Sequence, residues 1–131
     1  MEVKLLLDTS AYSGFRRGVP SVVEKISGSD LVLISPIVLG ELMYGFRKGA
    51  KFDQNLRMLR RFLEHEAVKI HPVGEITADR YSRIFLQLRK DGTPIPVNDI
   101  WIAAHAMEHG AELLTSDRHF ERVAGLACEI F

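Results

Sequence analysis

Short apolar runs that end in polar residues alternate along this chain with longer segments of helical periodicity. The first run, residues 3–7, stops at Asp8, and the second, Leu31–Ile34, stops at Ser35 and Pro36. Both are apolar on alternating faces, as expected of strands buried on both sides in a parallel sheet. Further strands are predicted over residues 68–70, 112–115 and 128–131. The alternation predicts an α/β fold, a three-layer α/β/α sandwich around a mostly parallel five-stranded sheet.

The segments between these runs have helical spacing of apolar residues and recognisable end signals. The predicted helices cover residues 20–26, about 37–46, 52–63, 77–91 and about 98–109. Gly49 separates the second helix from the third, and Thr77 is the expected cap of the fourth, which Asp91 and Gly92 stop. The two prolines within residues 93–97 predict a loop before the last helix.

Length, composition and charge bound the remaining possibilities. The chain has 131 residues, of which 47% are hydrophobic, so we expect a single domain over residues 1–131. No apolar run approaches the roughly 20 residues of a membrane span, and the start lacks the apolar region of a secretory signal, so a cytoplasmic protein is expected. Cys128 is the only cysteine, which excludes an internal disulfide. Seventeen basic and 17 acidic residues cancel, so attraction to nucleic acid must come from a local patch.

Two aspartates follow predicted strands at the edge where parallel sheets bind ligands. Asp8 ends the first strand, and Asp117 comes two residues after the fourth. Hydroxyl side chains flank both, and hydrogen bonds from them would orient the carboxylates. These neighbours are Thr9, Ser10, Thr115 and Ser116.

Two further acids complete a candidate site. A helical wheel from residue 99 to residue 109 places Asp99 on the buried side, and a buried carboxylate needs a partner, a shifted pKa or a metal. Glu41 lies about two turns into its helix, near Gly40 and Gly45, which leave space for substrate. Each acid alone is typical of a cap, a turn or a solvated helix face. Together, four acids at one sheet edge suit Mg²⁺ or Mn²⁺.

Four sequence motifs resemble those of PIN-domain proteins, and within that family the VapC-type toxins of toxin–antitoxin pairs. They are L-D-T-S at residues 7–10, I-V-L-G-E-L-M-Y-G at 37–45, P-V-N-D-I-W-I-A-A at 96–104 and L-L-T-S-D-R-H-F at 113–120. The resemblance covers nearly the whole chain. The acidic quartet of the family corresponds to Asp8, Glu41, Asp99 and Asp117, without departure.

The resemblance implies a strand order of 3-2-1-4-5, a homodimer, and a cognate VapB-like antitoxin whose tail lies across the acidic groove. It also implies a metal-dependent endoribonuclease acting on RNA. The four acids would be both catalytic residues and ligands of one or two Mg²⁺ or Mn²⁺ ions, which activate a water for attack on phosphorus. Glu41 would bind a second ion or orient that water.

A basic segment and a histidine pair are further candidates. Residues 47–61 contain six basic residues and one acid, and the candidate contacts to RNA or antitoxin are Arg47, Lys48, Arg57, Arg60 and Arg61. A solvated helix face is the competing interpretation. His105 and His109 share a helical face and could grip zinc, but no third ligand is apparent. We therefore expect them to be exposed polar residues beside Trp101.

Two other functions fit the same motifs. A PIN nuclease of RNA processing or decay would have the same site without an antitoxin, and a catalytically silent PIN scaffold would bind RNA or protein. Other phosphate-handling α/β folds fit poorly. Ser10 stands where a haloacid dehalogenase needs a second aspartate, and His71 where a response-regulator receiver needs one. A dinucleotide-binding fold needs a glycine-rich first turn, which Asp8, Thr9, Ser10 and Ala11 do not form.

Overall fold

A computed structural model describes residues 2–131. Its five strands form one sheet of order β3-β2-β1-β4-β5, and every neighbouring pair is parallel. The predicted α/β/α class and the order 3-2-1-4-5 are therefore confirmed, and the sheet is parallel throughout. The strands are β1 (Lys4–Leu7), β2 (Leu31–Ile34), β3 (Val68–Ile70), β4 (Glu112–Thr115) and β5 (Cys128–Ile130).

Continuous apolar runs occupy the centre of the sheet. Leu5, Leu6 and Leu7 of β1 are fully buried, and Leu6 pairs in register with Leu33 of β2 and Leu113 of β4. Such runs suit a strand covered on both faces, because neither set of alternating side chains meets water. The central strands thus form a rigid base, whose carboxyl edge positions the residues that follow each strand.

Six α-helices and one 3₁₀ helix connect the strands. They are α1 (Thr9–Arg16), α2 (Pro20–Ser27), α3 (Pro36–Lys48), α4 (Phe52–Glu64), α5 (Glu75–Asp91), α6 (Val97–Glu108) and the 3₁₀ helix Arg118–Arg122. Ser35 caps α3 through a bond from the Ile37 amide (3.2 Å). Within residues 2–131, no helix combines the length and the apolar character needed to cross a membrane.

Three helix boundaries differ from the sequence prediction. Helix α1 was not predicted, because the polar run after Leu7 is typical of a turn, yet Asp8 caps a helix there. Thr77 lies inside α5 rather than before it, and its hydroxyl accepts a bond from the Gly74 amide (3.1 Å). Helix α6 begins at Val97, within the predicted loop.

The environment of His105 is also different from the prediction. We expected His105 to be exposed beside Trp101, but its exposed fraction is 0%. Trp101 instead stacks on Tyr81 of α5, with ring centroids 4.0 Å apart and planes inclined by 19°. The wheel failed because α5 covers a second side of α6, so this helix is buried on more than one face.

Candidate active site

Four acidic side chains from separate parts of the chain line one cavity at the carboxyl edge of the sheet. The cavity has a volume of about 480 Å³. Its lining residues are Asp8, Thr9, Ser10, Glu41, Pro96, Val97, Asn98, Asp99 and Asp117. The structure therefore brings together all four acids that the sequence analysis selected.

The topology of the sheet explains this convergence. Asp8 follows β1, and Asp117 follows β4 after two residues, and these strands are parallel neighbours. Glu41 lies in the second turn of α3, which begins two residues after β2. Asp99 lies in the first turn of α6. Parallel strands present their carboxyl ends at one edge, so residues distant in sequence meet there.

Asp8 is the most constrained of the four acids. It is only 5% exposed, and its Oδ1 accepts bonds from the Ala11 amide (2.9 Å) and the Ser10 hydroxyl (2.6 Å). Its Oδ2 accepts a bond from the Thr115 hydroxyl (2.5 Å). Asp8 is also the N-cap of α1, where the helix dipole favours a negative charge. These contacts hold the carboxylate in one orientation.

The four flanking hydroxyl residues contribute unequally. The Ser10 and Thr115 hydroxyls bind Asp8 and also accept bonds from the backbone amides of Ser116 and Asp117, at 3.0 Å each. Thr9 lines the cavity, and Ser116 contributes its backbone amide. Over residues 2–131, no hydrogen bond joins the hydroxyl of Thr9 or Ser116 to any of the four acids. Ser10 and Thr115 thus connect the ends of β1 and β4.

His119 is a site residue for which the sequence analysis predicted no role. Its Nε2 lies 2.6 Å from Oδ2 of Asp99, and its Nδ1 lies 2.8 Å from Oδ1 of Asp117. The imidazole thus lies between two of the acids. His119 follows Asp117 by two residues, and the 3₁₀ helix turns its side chain back toward Asp99. Its place inside the fourth motif, two residues after Asp117, was the signal available in the sequence.

The electrostatics of the cavity are those of crowded carboxylates. Burial raises the pKa of Asp99, the nearby His119 lowers it, and the charges of Asp117 and Asp8 raise it again. Burial likewise raises the pKa of Glu41, Asn98 opposes that shift through a hydrogen bond, and Asp99 and Asp8 add to it. Negative charges that repel one another within one cavity are stabilised by a cation.

The donor set fits a hard divalent cation. One Glu41 oxygen, Oε1, is buried and has no hydrogen-bond partner in the described part of the chain. A buried carboxylate oxygen without a partner is costly, and a metal ion or an ordered water would satisfy it. Carboxylate oxygens are the ligands that Mg²⁺ and Mn²⁺ prefer.

Comparison with known families agrees with this fold. Residues 5–126 match the PIN domain family. The chain belongs to the PIN-domain family. This match spans all four motifs completely, so every member of the acidic cluster lies inside the matched region.

Individual relatives of this PIN domain are VapC proteins, which confirms the resemblance drawn from the motifs. The chain is 31% identical over 136 residues to the tRNA(fMet)-specific endonuclease VapC of Shigella flexneri, with 97% of each chain covered. It resembles VapBC2 from Rickettsia felis bound to a promoter DNA fragment, with TM-score 0.87, 28% identity and coverage of 98% and 99%. It also resembles VapBC-5 of Mycobacterium tuberculosis, a member of the VapBC family of toxin–antitoxin systems, with TM-score 0.72, 26% identity and 98% of each chain covered.

The predicted basic contacts divide between two surfaces of the PIN domain. Lys48 lines a groove of about 620 Å³ that also contains Glu41 and Asn98, so this lysine lies beside the acidic cavity. Arg61 lines a separate, mainly apolar cavity of about 590 Å³ with Phe15 and Phe62. The remaining three, Arg47, Arg57 and Arg60, are exposed and line neither. Lys48 is therefore the basic side chain best placed to meet a substrate phosphate.

Proposed function

We propose that this chain is a Mg²⁺- or Mn²⁺-dependent endoribonuclease, the toxin of a VapC-type toxin–antitoxin pair, which hydrolyses phosphodiester bonds in RNA. The observation that carries the proposal is the convergence of Asp8, Glu41, Asp99 and Asp117 in one cavity at the sheet edge. Crowded carboxylates destabilise a protein unless a cation compensates them, so four of them around one open cavity support the proposal of a metal-dependent role.

Asp8, Asp99 and Asp117 are the residues that we assign to holding the ion. Asp8 is fixed by three hydrogen bonds, and Asp99 and Asp117 are aligned by the His119 ring between them. The chemistry that such an ion supplies when bound is a lower pKa for water and neutralisation of charge on the scissile phosphate. His119 acts here as a positioning residue, because it contacts the carboxylates.

We assign Glu41 to orienting the attacking water. Its Oε1 has no hydrogen-bond partner among residues 2–131, and its helix borders both the acidic cavity and the Lys48 groove. A carboxylate oxygen at this position accepts a hydrogen bond from water and can receive its proton. Lys48 would hold a neighbouring phosphate of the substrate strand.

The choice of RNA, the toxin role and the partner rest on the relatives. One relative is a tRNA(fMet)-specific endonuclease, and another belongs to the VapBC family of toxin–antitoxin systems. By similarity to them, we propose a VapB-like antitoxin that covers the acidic groove, and a homodimer of this chain. Water-based hydrolysis does not require the RNA 2′-hydroxyl, so the preference for RNA over DNA comes from family membership.

Cleavage of RNA by the purified protein tests the activity. The wild-type chain, free of any partner, is incubated with total cellular RNA and Mg²⁺ or Mn²⁺, beside an Asp8→Asn variant and a chelator control. Discrete fragments that disappear in both controls are expected. The matched control is Asp79→Asn, the same chemical change at an exposed ion pair with Arg83 on α5, and it should leave cleavage unchanged.

The outcomes separate the alternatives. If the folded wild-type protein cleaves no RNA pool with either metal, the endoribonuclease proposal fails and a silent scaffold is favoured. If it cleaves RNA but its expression does not slow bacterial growth, a nuclease of RNA processing or decay is favoured over a toxin. Growth arrest by the wild type, and none by Asp8→Asn, supports the toxin.

A further inference from the structure

Three histidines and a glutamate form a second cluster at the opposite end of α6 from Asp99. His105 and Glu108 lie in the last turns of α6, His109 is its C-cap, and His71 follows β3. The His71 and His109 ring centroids are 4.5 Å apart, and those of His105 and His109 are 4.9 Å apart. One ligand atom from each of His105, Glu108 and His109 lies within 4.8 Å of the others.

The histidine cluster contains buried ring nitrogens without partners. His105 is fully buried, and although the Pro72 backbone approaches its ring, neither ring nitrogen makes a hydrogen bond of good geometry within the described residues. Nε2 of His109 is also buried; it makes no hydrogen bond there and lies 3.8 Å from Oε1 of Glu108. Buried polar atoms are nearly always satisfied, so such a concentration in one place requires a reason. A bound cation accepts the nitrogen lone pairs directly.

The surroundings of the two histidines at the end of α6 lower their pKa values. Burial lowers the pKa of His105, and the neighbouring His109 and His71 lower it further, against opposing contributions from Glu108 and the Pro72 backbone. Burial also lowers the pKa of His109, as do His71 and Lys4, while Glu108 raises it. The surroundings thus disfavour a positive charge on either ring.

The cluster combines a ligand spacing suited to a metal ion with a cavity that opens to the surface. Histidines four residues apart on one helix face can hold the same ion, and the third histidine lies across from them. The Glu108 carboxylate is held by a hydrogen bond from the Thr77 hydroxyl, as expected of an oriented ligand. A cavity of about 560 Å³ reaches His71, Glu108 and His109 from the surface.

We propose that His71, His105, Glu108 and His109 form a binding site for a divalent transition-metal ion such as Zn²⁺, separate from the acidic cavity. Three nitrogens and one carboxylate make a four-coordinate Zn²⁺ ligand set, whereas Mg²⁺ prefers oxygen ligands. Ligand atoms on one Zn²⁺ are roughly 3–4 Å apart. The ligand atoms of His105, Glu108 and His109 would therefore move closer by side-chain rotation, and the His71 ring, 4.5 Å from that of His109, would turn toward the ion. The ion would fasten the segment after β3 to the end of α6, and so stabilise the fold.

Zinc binding by a chain with a disabled acidic cavity tests this inference. The full-length protein carrying Asp99→Asn and His119→Gln is freed of metal and titrated with ZnCl₂ and, separately, MgCl₂ by calorimetry. We expect one equivalent of Zn²⁺ to bind, no comparable binding of Mg²⁺, and a higher Tm with Zn²⁺. Co²⁺ in place of Zn²⁺ should give the visible absorption of a tetrahedral complex.

Single histidine substitutions in that background assign the site. His71→Gln should weaken Zn²⁺ binding by at least about 10-fold, since even residues that only support ligands contribute that much. His109→Gln provides a second variant should His71→Gln fold poorly. The matched control is His65→Gln at the exposed end of α4, which should not change binding. The inference is overturned if Zn²⁺ does not bind, or if both variants bind it as the background does.

Discussion

Helix α6 carries two clusters of titratable residues with opposite chemistry. At its start, Asp99 belongs to a group of acids that repel one another in an open cavity. At its end, His105 and His109, whose pKa values are lowered by burial, belong to a group of imidazoles that are largely shielded from water. Ten residues at 1.5 Å each separate Asp99 from His109 by about 15 Å. One helix thus presents oxygen donors to a hard cation at one end and nitrogen donors to a softer one at the other.

The two clusters also differ in how the protein supports them. Asp8 is held by amide and hydroxyl donors, and Asp99 by His119, so the acids are oriented although they repel one another. Within residues 2–131, the ring nitrogens of His105 make no comparable hydrogen bond. Oriented carboxylates around an open cavity are typical of catalytic sites. Buried ring nitrogens without a hydrogen-bond partner require another partner, and an ion is one that fits. We therefore expect substitutions in the acidic cavity to reduce activity and substitutions in the histidine cluster to reduce stability.

The largest expected effect is on catalysis at the acidic end. Asp99→Asn keeps the size of the side chain but removes a charge that the metal requires, so cleavage should fall by roughly 10²- to 10³-fold. Initial rates of RNA cleavage at saturating Mn²⁺ measure this. Circular dichroism and Tm establish that the variant is folded. A variant that keeps half of the wild-type cleavage rate would show that Asp99 has no essential role in catalysis.

A smaller loss is expected from the residue between two acids. His119→Gln removes the ring that aligns Asp99 with Asp117, and supporting residues of this kind typically contribute 10- to 100-fold to metal affinity or activity. Mn²⁺ affinity measured by calorimetry should fall together with the cleavage rate. His65→Gln, on an exposed surface, is the matched control. Unchanged Mn²⁺ affinity would show that the His119 contacts have no positioning role.

The origin of each cluster explains how much of it could be predicted from the sequence. The four acids follow strand ends or lie in early helix turns, and a parallel sheet gathers such positions at one edge, so pattern and topology suffice. His105 was wrongly expected to be exposed, because the position of α5 over α6 is a tertiary fact that helical periodicity does not contain. His71 joins His109 across 38 residues of sequence, and His119 reaches Asp99 across 20, through turns that no local motif specifies.

Helix α1 shows the same limit at the level of secondary structure. The residues after Leu7 are typical of a turn, but Asp8 accepts the Ala11 amide and starts a helix. Gly14 within α1 permits close packing, since a Cβ there would lie 3.2 Å from the Phe131 ring and 3.3 Å from Val22. Residues that disfavour a helix by local propensity thus belong to one because of distant partners.

The two clusters should give the metal-free protein opposite pH dependence of stability. The pKa of Glu41 is raised in the folded state, so its contribution is largest below the unfolded carboxyl pKa and is lost as pH rises through the folded value. The pKa values of His105 and His109 are lowered, so their contribution is complete above about pH 6.5 and is lost as pH falls below it.

Glu41→Gln isolates the acidic contribution. The free energy of unfolding of the metal-free protein at about pH 7.5 should rise by roughly 0.5 kcal/mol, a modest gain because the side chain is partly open to solvent. The gain should shrink as pH falls and the wild-type carboxyl becomes protonated. Urea denaturation of both proteins across this range measures it. A variant less stable than the wild type at pH 7.5 would mean that the carboxylate is stabilised by contacts rather than strained.

The smallest expected effect concerns the groove that extends the acidic cavity. Lys48 shares this groove with Glu41, whereas Arg60 is exposed on α4 and lies outside it. If Lys48 meets a substrate phosphate, Lys48→Ala should weaken RNA binding and reduce the slope of log K against log salt by about 1, because one fewer counterion is released. Arg60→Ala should change neither. Binding of labelled RNA to the Asp8→Asn protein at several salt concentrations measures both without cleavage. Equal losses of RNA affinity from the two variants would indicate a diffuse positive field and no defined phosphate contact. The groove beside the acidic cavity would then have no specific role in binding the RNA strand.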